Sequence, residues 1–120
     1  MEIDAFSMEF YGCAAVLNDP ERLSELLHAA AHKVGANVLT EAKAAFQPHG
    51  VTVVLVLAES HIILATWPEY NYAMLDLLLC NDGMDPEVAA ATVAEFLKPT
   101  ETRQQRIAHH IGPKAPPLRS

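Results

Sequence analysis

Residues 51–57 read VTVVLVL. Most of the seven are β-branched, none is charged, and the run does not alternate, which is the pattern of a strand covered on both faces. Outward from it, Pro48-His49-Gly50 is a turn and Glu59-Ser60 a break. His61 to Trp67 reads as the next strand, Pro68-Glu69-Tyr70-Asn71 interrupts it, and Met74 to Cys80 is a third apolar strand ended by Asn81-Asp82-Gly83. Further out, Phe6 to Cys13 forms an aromatic-rich strand in which Cys13 is a structural residue. Asn37 to Phe46 forms a strand despite its alanines, and Thr100 to His109 a last one.

Two helices fit between these strands. Asp19-Pro20 supplies an N-cap and a first-turn proline. Leu23, Leu26, Leu27, Ala30, Ala31 and Val34 follow at helical spacing, with Gly35 at the C-terminal cap. Asp85-Pro86 opens the second helix, whose apolar face is Ala89, Ala90, Val93, Phe96 and Leu97. This order predicts an α+β two-layer sandwich, one antiparallel sheet with two helices on one face. Such a sheet leaves its other face to water, whereas VTVVLVL is apolar on both. A second copy of the chain is the simplest cover, giving an αββα homodimer.

The composition agrees with one domain. The chain has 120 residues, 51% hydrophobic and 19% charged, enough to bury a core and too apolar for disorder. We expect the domain over residues 1–112 and a flexible tail over 113–120. The net charge of −7 argues against a nucleic-acid binder. Basic residues concentrate after residue 97, which reads as a solvated segment or as contact with an acidic partner. Cys13 and Cys80 make neither a disulfide framework nor a zinc pattern. No signal peptide is visible, and Val51 to Ala58 is too short to span a membrane, so a cytoplasmic location is expected.

Gly-rich phosphate loops, metal-ligand clusters and nucleophile elbows do not occur. His109-His110 reads as a surface pair, and no metal is expected. The stretch from Ala58 to Asp85 differs: AESHIILATWPEYNYAMLDLLLCNDGMD. An acid-serine pair follows one apolar strand, an aromatic-acid turn the next, and a cysteine ends a third. Glu59-Ser60-His61, Thr66-Trp67-Pro68-Glu69-Tyr70, and Asp76 with Cys80 resemble the prokaryotic S-adenosylmethionine decarboxylase proenzymes in type and spacing. Weaker similarity covers Glu9 to Cys13 and Phe46 to Val51, so the resemblance spans about residues 6–98.

The resemblance implies a decarboxylase of S-adenosylmethionine, feeding spermidine synthesis, that makes its own pyruvoyl cofactor. The Ser60 hydroxyl attacks the Glu59 carbonyl, the amide becomes an ester, and β-elimination cuts the chain between Glu59 and Ser60. Ser60 becomes a pyruvoyl group, whose ketone forms a Schiff base with the substrate amine and takes up the electrons left by CO2. By the same resemblance Cys80 is the general acid, Phe46 and Trp67 stack on adenine, Glu69 binds the ribose hydroxyls, and Thr52 assists processing. Taken alone, Phe46 and Trp67 are core-type residues, Glu69 a turn acid, Ser60 a strand-end serine and Cys80 a buried thiol. Homodimers whose sites draw on both copies are also implied, and a paralogous partner subunit is an alternative.

Three positions depart from the family pattern. Ala65 stands where a histidine assists the elimination, and Ala5 and Ala44 replace two further histidines. His61 or His49 is then the candidate base. Two other readings follow from these departures: a decarboxylase of the same fold acting on another amino acid such as ornithine or arginine, or an unprocessed relative that binds a nucleoside or a partner subunit.

Overall fold

The computed structural model describes residues 2–14, 17–58, 60–79 and 83–114. Six strands and two helices appear in the expected order. They are β1 (Glu2–Tyr11), α1 (Pro20–Lys33), β2 (Val38–Ala45), β3 (Val51–Leu57), β4 (Ser60–Trp67), β5 (Tyr72–Leu78), α2 (Pro86–Leu97) and β6 (Glu101–His110), with a 3-10 turn at Pro68–Tyr70. The strands form one sheet in the order β2-β3-β4-β5-β1-β6, and every neighbouring pair is antiparallel.

The capping residues act as the sequence predicts. Asp19 Oδ1 accepts from the N–H groups of Glu21 and Arg22 at 3.1 and 3.2 Å, and Asp85 Oδ1 accepts from Glu87 N–H at 2.9 Å. These bonds satisfy amides that the first helical turn leaves open. Both helices lie on one face of the sheet, α1 over β2, β3 and β4, and α2 beside β1. Between the layers are Phe6, Phe10, Leu23, Leu27, Leu55, Ile62, Leu64, Leu75, Leu77 and Leu97.

Burial along β3 corrects the reading of VTVVLVL. Val51, Val53, Leu55 and Leu57 are buried under the helices, whereas Thr52 and Val54 are half-buried and Val56 is exposed. Within one chain the strand is covered on one side only. Its neighbours repeat the pattern: His61, Ile63, Ala65 and Trp67 on β4, and Tyr72, Met74, Asp76 and Leu78 on β5, share the open face.

One further reading is corrected. Cys13 lies past the end of β1, buried in the following loop, where its thiol approaches the Phe10 carbonyl at 3.6 Å. The basic segment is largely ordered structure: β6 pairs along the whole of β1. Arg106 reaches Glu87 at 3.5 Å and Asp4 at 3.9 Å, so part of the acidic partner of this segment is the body of the same chain. Of the expected tail, residues 115–120 lie outside the described residues, as do Asn81 and Asp82 of the turn after β5.

Candidate active site

The expected site residues divide between the two ends of β4. At its start, Ser60 is half-buried and its Oγ donates to the Ala58 carbonyl at 3.3 Å. His61 follows on the open face, 4.0 Å from Asp76. Both side chains line a cleft of about 430 Å³ with Ile3, Leu78, His109 and Ile111. Glu59 and Cys80 lie outside the described residues.

The other end holds Phe46, Thr52, Trp67 and Glu69. Thr52 stands opposite Ala65 on β4 and Ala44 on β2, so two methyl groups flank its hydroxyl. Phe46 and Trp67 are 52% and 36% exposed, which removes the core-residue reading of both. Trp67 packs against Tyr72 with ring centroids 5.4 Å apart, and Tyr72 against Tyr11 at 5.2 Å. Both pairs are tilted, an arrangement that aromatic quadrupoles favour. Phe46 also lines a shallow hollow over Ala42, Ala44, Thr52 and Val54.

This end is held from beneath. The buried Thr66 hydroxyl donates to the Leu17 carbonyl at 2.7 Å and accepts from Val51 N–H at 3.0 Å. Asn18 Oδ1 accepts from Gly50 N–H at 2.8 Å, and Phe46 N–H donates to the Gly50 carbonyl at 2.8 Å. Gly50 has φ of +109° and a side chain there would press on the Thr66 carbonyl, so only glycine closes the 46–50 turn without strain. His49 on that turn places Nε2 3.2 Å from Glu69 Oε1.

On the open face beside this end, Tyr72 donates its hydroxyl to Glu9 Oε1 at 2.7 Å. Burial and the Glu9 carboxylate together push the Tyr72 hydroxyl far above the ordinary tyrosine range, so it remains a donor. Glu9 and Tyr72 escaped the sequence reading, because each is an ordinary strand residue until the sheet order sets β1 beside β5. No group of three or more His, Cys, Asp or Glu side chains among the described residues is placed to hold a metal.

The structure therefore brings Phe46, Thr52, Trp67 and Glu69 together and leaves Ser60 and His61 at the far side of the sheet. Trp67 is six residue steps beyond His61, about 20 Å along an extended strand. A family model for S-adenosylmethionine decarboxylase matches residues 4–110. The chain belongs to that family. It is 36% identical over 107 residues to an S-adenosylmethionine decarboxylase proenzyme of Thermosipho africanus, covering 88% of this chain and 80% of that one. It is 36% identical over 110 residues to S-adenosylmethionine decarboxylase proenzyme 2 of Bacillus cereus, covering 92% and 86%. A crystal structure of the adenosylmethionine decarboxylase from Aquifex aeolicus superposes with a TM-score of 0.81 at 27% identity, covering 96% of this chain and 97% of that one. Family membership thus rests on nearly the whole chain, as the Ala58 to Asp85 stretch implied.

Proposed function

We propose that this chain decarboxylates S-adenosylmethionine through a pyruvoyl group made from Ser60 by self-cleavage after Glu59. The observation that carries the reading is the open sheet face, with exposed aromatics and Glu69 at one end of β4 and Ser60 at the other. A second copy turned about a two-fold axis lying between the sheets and across the strands reverses the strand direction. It sets Ser60 of one copy near Phe46, Thr52, Trp67 and Glu69 of the other. The same contact covers Thr52, Val54 and Ile63, the half-buried side chains that a single chain leaves facing water.

The surroundings of Ser60 suit such a group. It opens β4 directly after the turn from β3, and its hydroxyl meets only a backbone carbonyl in the described contacts. A break before it leaves β3 and β4 joined through the pairs from Thr52↔Ala65 to Leu57↔Ser60, so the two pieces stay assembled. When formed, a pyruvoyl ketone supplies the electron sink that loss of CO2 requires. The remaining work falls to side chains. Phe46 and Trp67 offer flat apolar surfaces to a purine, Glu69 accepts from ribose hydroxyls, and Cys80 returns a proton to the product carbon. Glu9, Glu69 and Asp76 give the open face a negative potential that favours a cationic substrate.

Intact mass under denaturing conditions tests the first step. Two pieces, residues 1–59 and 60–120, are expected, and Ser60→Ala should leave one chain. Release of CO2 from S-adenosylmethionine, run beside ornithine and arginine, tests the second. A chain that stays whole, or that releases CO2 only from a basic amino acid, overturns the reading.

A further inference from the structure

We propose that His49, oriented by Glu69, is the base that completes chain cleavage at Ser60 of a second copy. The inference rests on the cleavage reading above and supplies the proton acceptor that Ala65 lacks. Ala65 faces Thr52 with a methyl group, and a methyl group takes no proton. The structure places all six histidines. His28 and His32 are on α1, and His61, His109 and His110 are at the Ser60 end of the sheet. Among the described residues, His49 is the one histidine at the end that carries Thr52, Ala65 and Trp67.

Its setting is that of a working base. The turn that carries it is fixed by the bond from Phe46 N–H to the Gly50 carbonyl and by Asn18 on Gly50 N–H. Glu69 Oε1 lies 3.2 Å from Nε2. A carboxylate at that distance accepts from Nε2–H, which leaves Nδ1 as the ring nitrogen with the lone pair. Neither side chain is buried; they are 34% and 40% exposed, so a second copy can approach them. The flanking Ala44 and Ala65 leave the space over Thr52 open to an incoming chain.

His61 is the competing candidate. It directly follows Ser60 in β4. Its ring lies beside Asp76, at the end of the strand away from Thr52 and Ala65.

The step begins from the ester joining the Glu59 carbonyl to Ser60 Oγ. His49 Nδ1 takes the Ser60 α-proton, the Cα–Cβ double bond forms, and the Cβ–Oγ bond breaks. Its electron pair leaves on the Glu59 carboxylate. The enamine at residue 60 tautomerises to an imine, and solvent water replaces its nitrogen, releasing ammonia and leaving a ketone. No oxidant or reductant is needed.

The test follows cleavage by intact mass. The parental chain should cleave; if it stays whole, the cleavage reading fails and the inference fails with it. His49→Ala should slow cleavage by about 10²–10⁴-fold while thermal unfolding, read by circular dichroism, stays close to parental. Added imidazole should restore part of the rate, and an ester stalled before elimination should be cut by hydroxylamine. Co-expression of differently tagged Ser60→Ala and His49→Ala chains should cut the His49→Ala chain, since its serine then meets an intact His49. Parental cleavage rates in His49→Ala overturn the inference and leave the cleavage reading standing. So does a stall in His61→Ala with none in His49→Ala.

Discussion

Tyr72 carries more of the open face than its place in the sequence suggests. Its ring joins Trp67 to Tyr11, and its hydroxyl reaches across to Glu9 on β1. Tyr72→Phe removes that donor and leaves the Glu9 carboxylate to water. The expected loss is about 1 kcal/mol at neutral pH, read as a lower urea midpoint. The sign of the alkaline effect follows from the raised pKa. Above pH about 10 the unfolded chain sheds the tyrosine proton while the folded chain keeps it, so this contribution is complete below that pH and is lost as pH rises. Urea midpoints measured from pH 8 to 11 should fall in the parental chain and fall less in Tyr72→Phe. None of this is legible in the sequence. A tyrosine after Pro-Glu-Tyr-Asn reads as part of a turn, and its partner lies sixty-three residues away. The candidates Ser60, Phe46, Trp67 and Glu69 could be named because the family resemblance rests on residue type and order along the chain. The His49–Glu69 pair could not, because it depends on how the 46–50 turn folds back toward the turn after β4.

At the scale of elements, the edge strand β2 has little apolar hold. Its side chains from Leu39 to Ala45 are mostly exposed, yet it stays on the sheet. A polar clasp to α1 explains this. Glu41 accepts from the buried Ser24 hydroxyl and lies 3.1 Å from His28 Nε2, while Lys43 bridges Glu21 at 2.8 Å and Glu41 at 3.7 Å. The Ser24 bond, with His28 and Lys43, holds the Glu41 carboxyl below its ordinary pKa. The clasp is therefore present above the ordinary carboxylate range and weakens as pH falls through the lower folded value. Ser24→Ala should cost about 1–2 kcal/mol and speed hydrogen exchange at the amides of β2 more than at β4 or β5. Equal speeding across the sheet would mean that the clasp does not act locally. Helix ends were legible because Asp19-Pro20 and Asp85-Pro86 act through bonds within one turn. Strand ends matched at Val51, Leu57 and Trp67 and shifted elsewhere by one to four residues, and the place of β1 between β5 and β6 could not be read. Pairing partners in a sheet are set by tertiary packing, which leaves no local mark.

For the whole molecule, the alternation of burial along β3 turns the apolar run into a statement about assembly. Had both faces been buried within one chain, the sheet would need no partner. Instead Thr52, Val54, Val56, Ile63 and Met74 face outward next to one another, beside the negatively charged Asp76 and Glu9. Two such faces in contact would bury the apolar centre, and the proposed two-fold would set each Ser60 against the aromatic end of its mate. Val54→Asp tests this where a single chain tolerates the change. The side chain is half-buried and flanked by Ala42 and Ile63, so the fold should lose no more than about 1 kcal/mol in strand preference. Between two sheets the same carboxylate would be stripped of water without a partner, at a cost of several kcal/mol. Light scattering should give a mass near twice the 13.1 kDa chain for the parental protein and near one chain for Val54→Asp. The variant should keep its circular dichroism and stay uncleaved, because Ser60 and the His49 end of one chain are about 20 Å apart along β4. A folded Val54→Asp monomer that still cleaves at the parental rate would place the whole processing site within one chain and remove the two-fold from the mechanism.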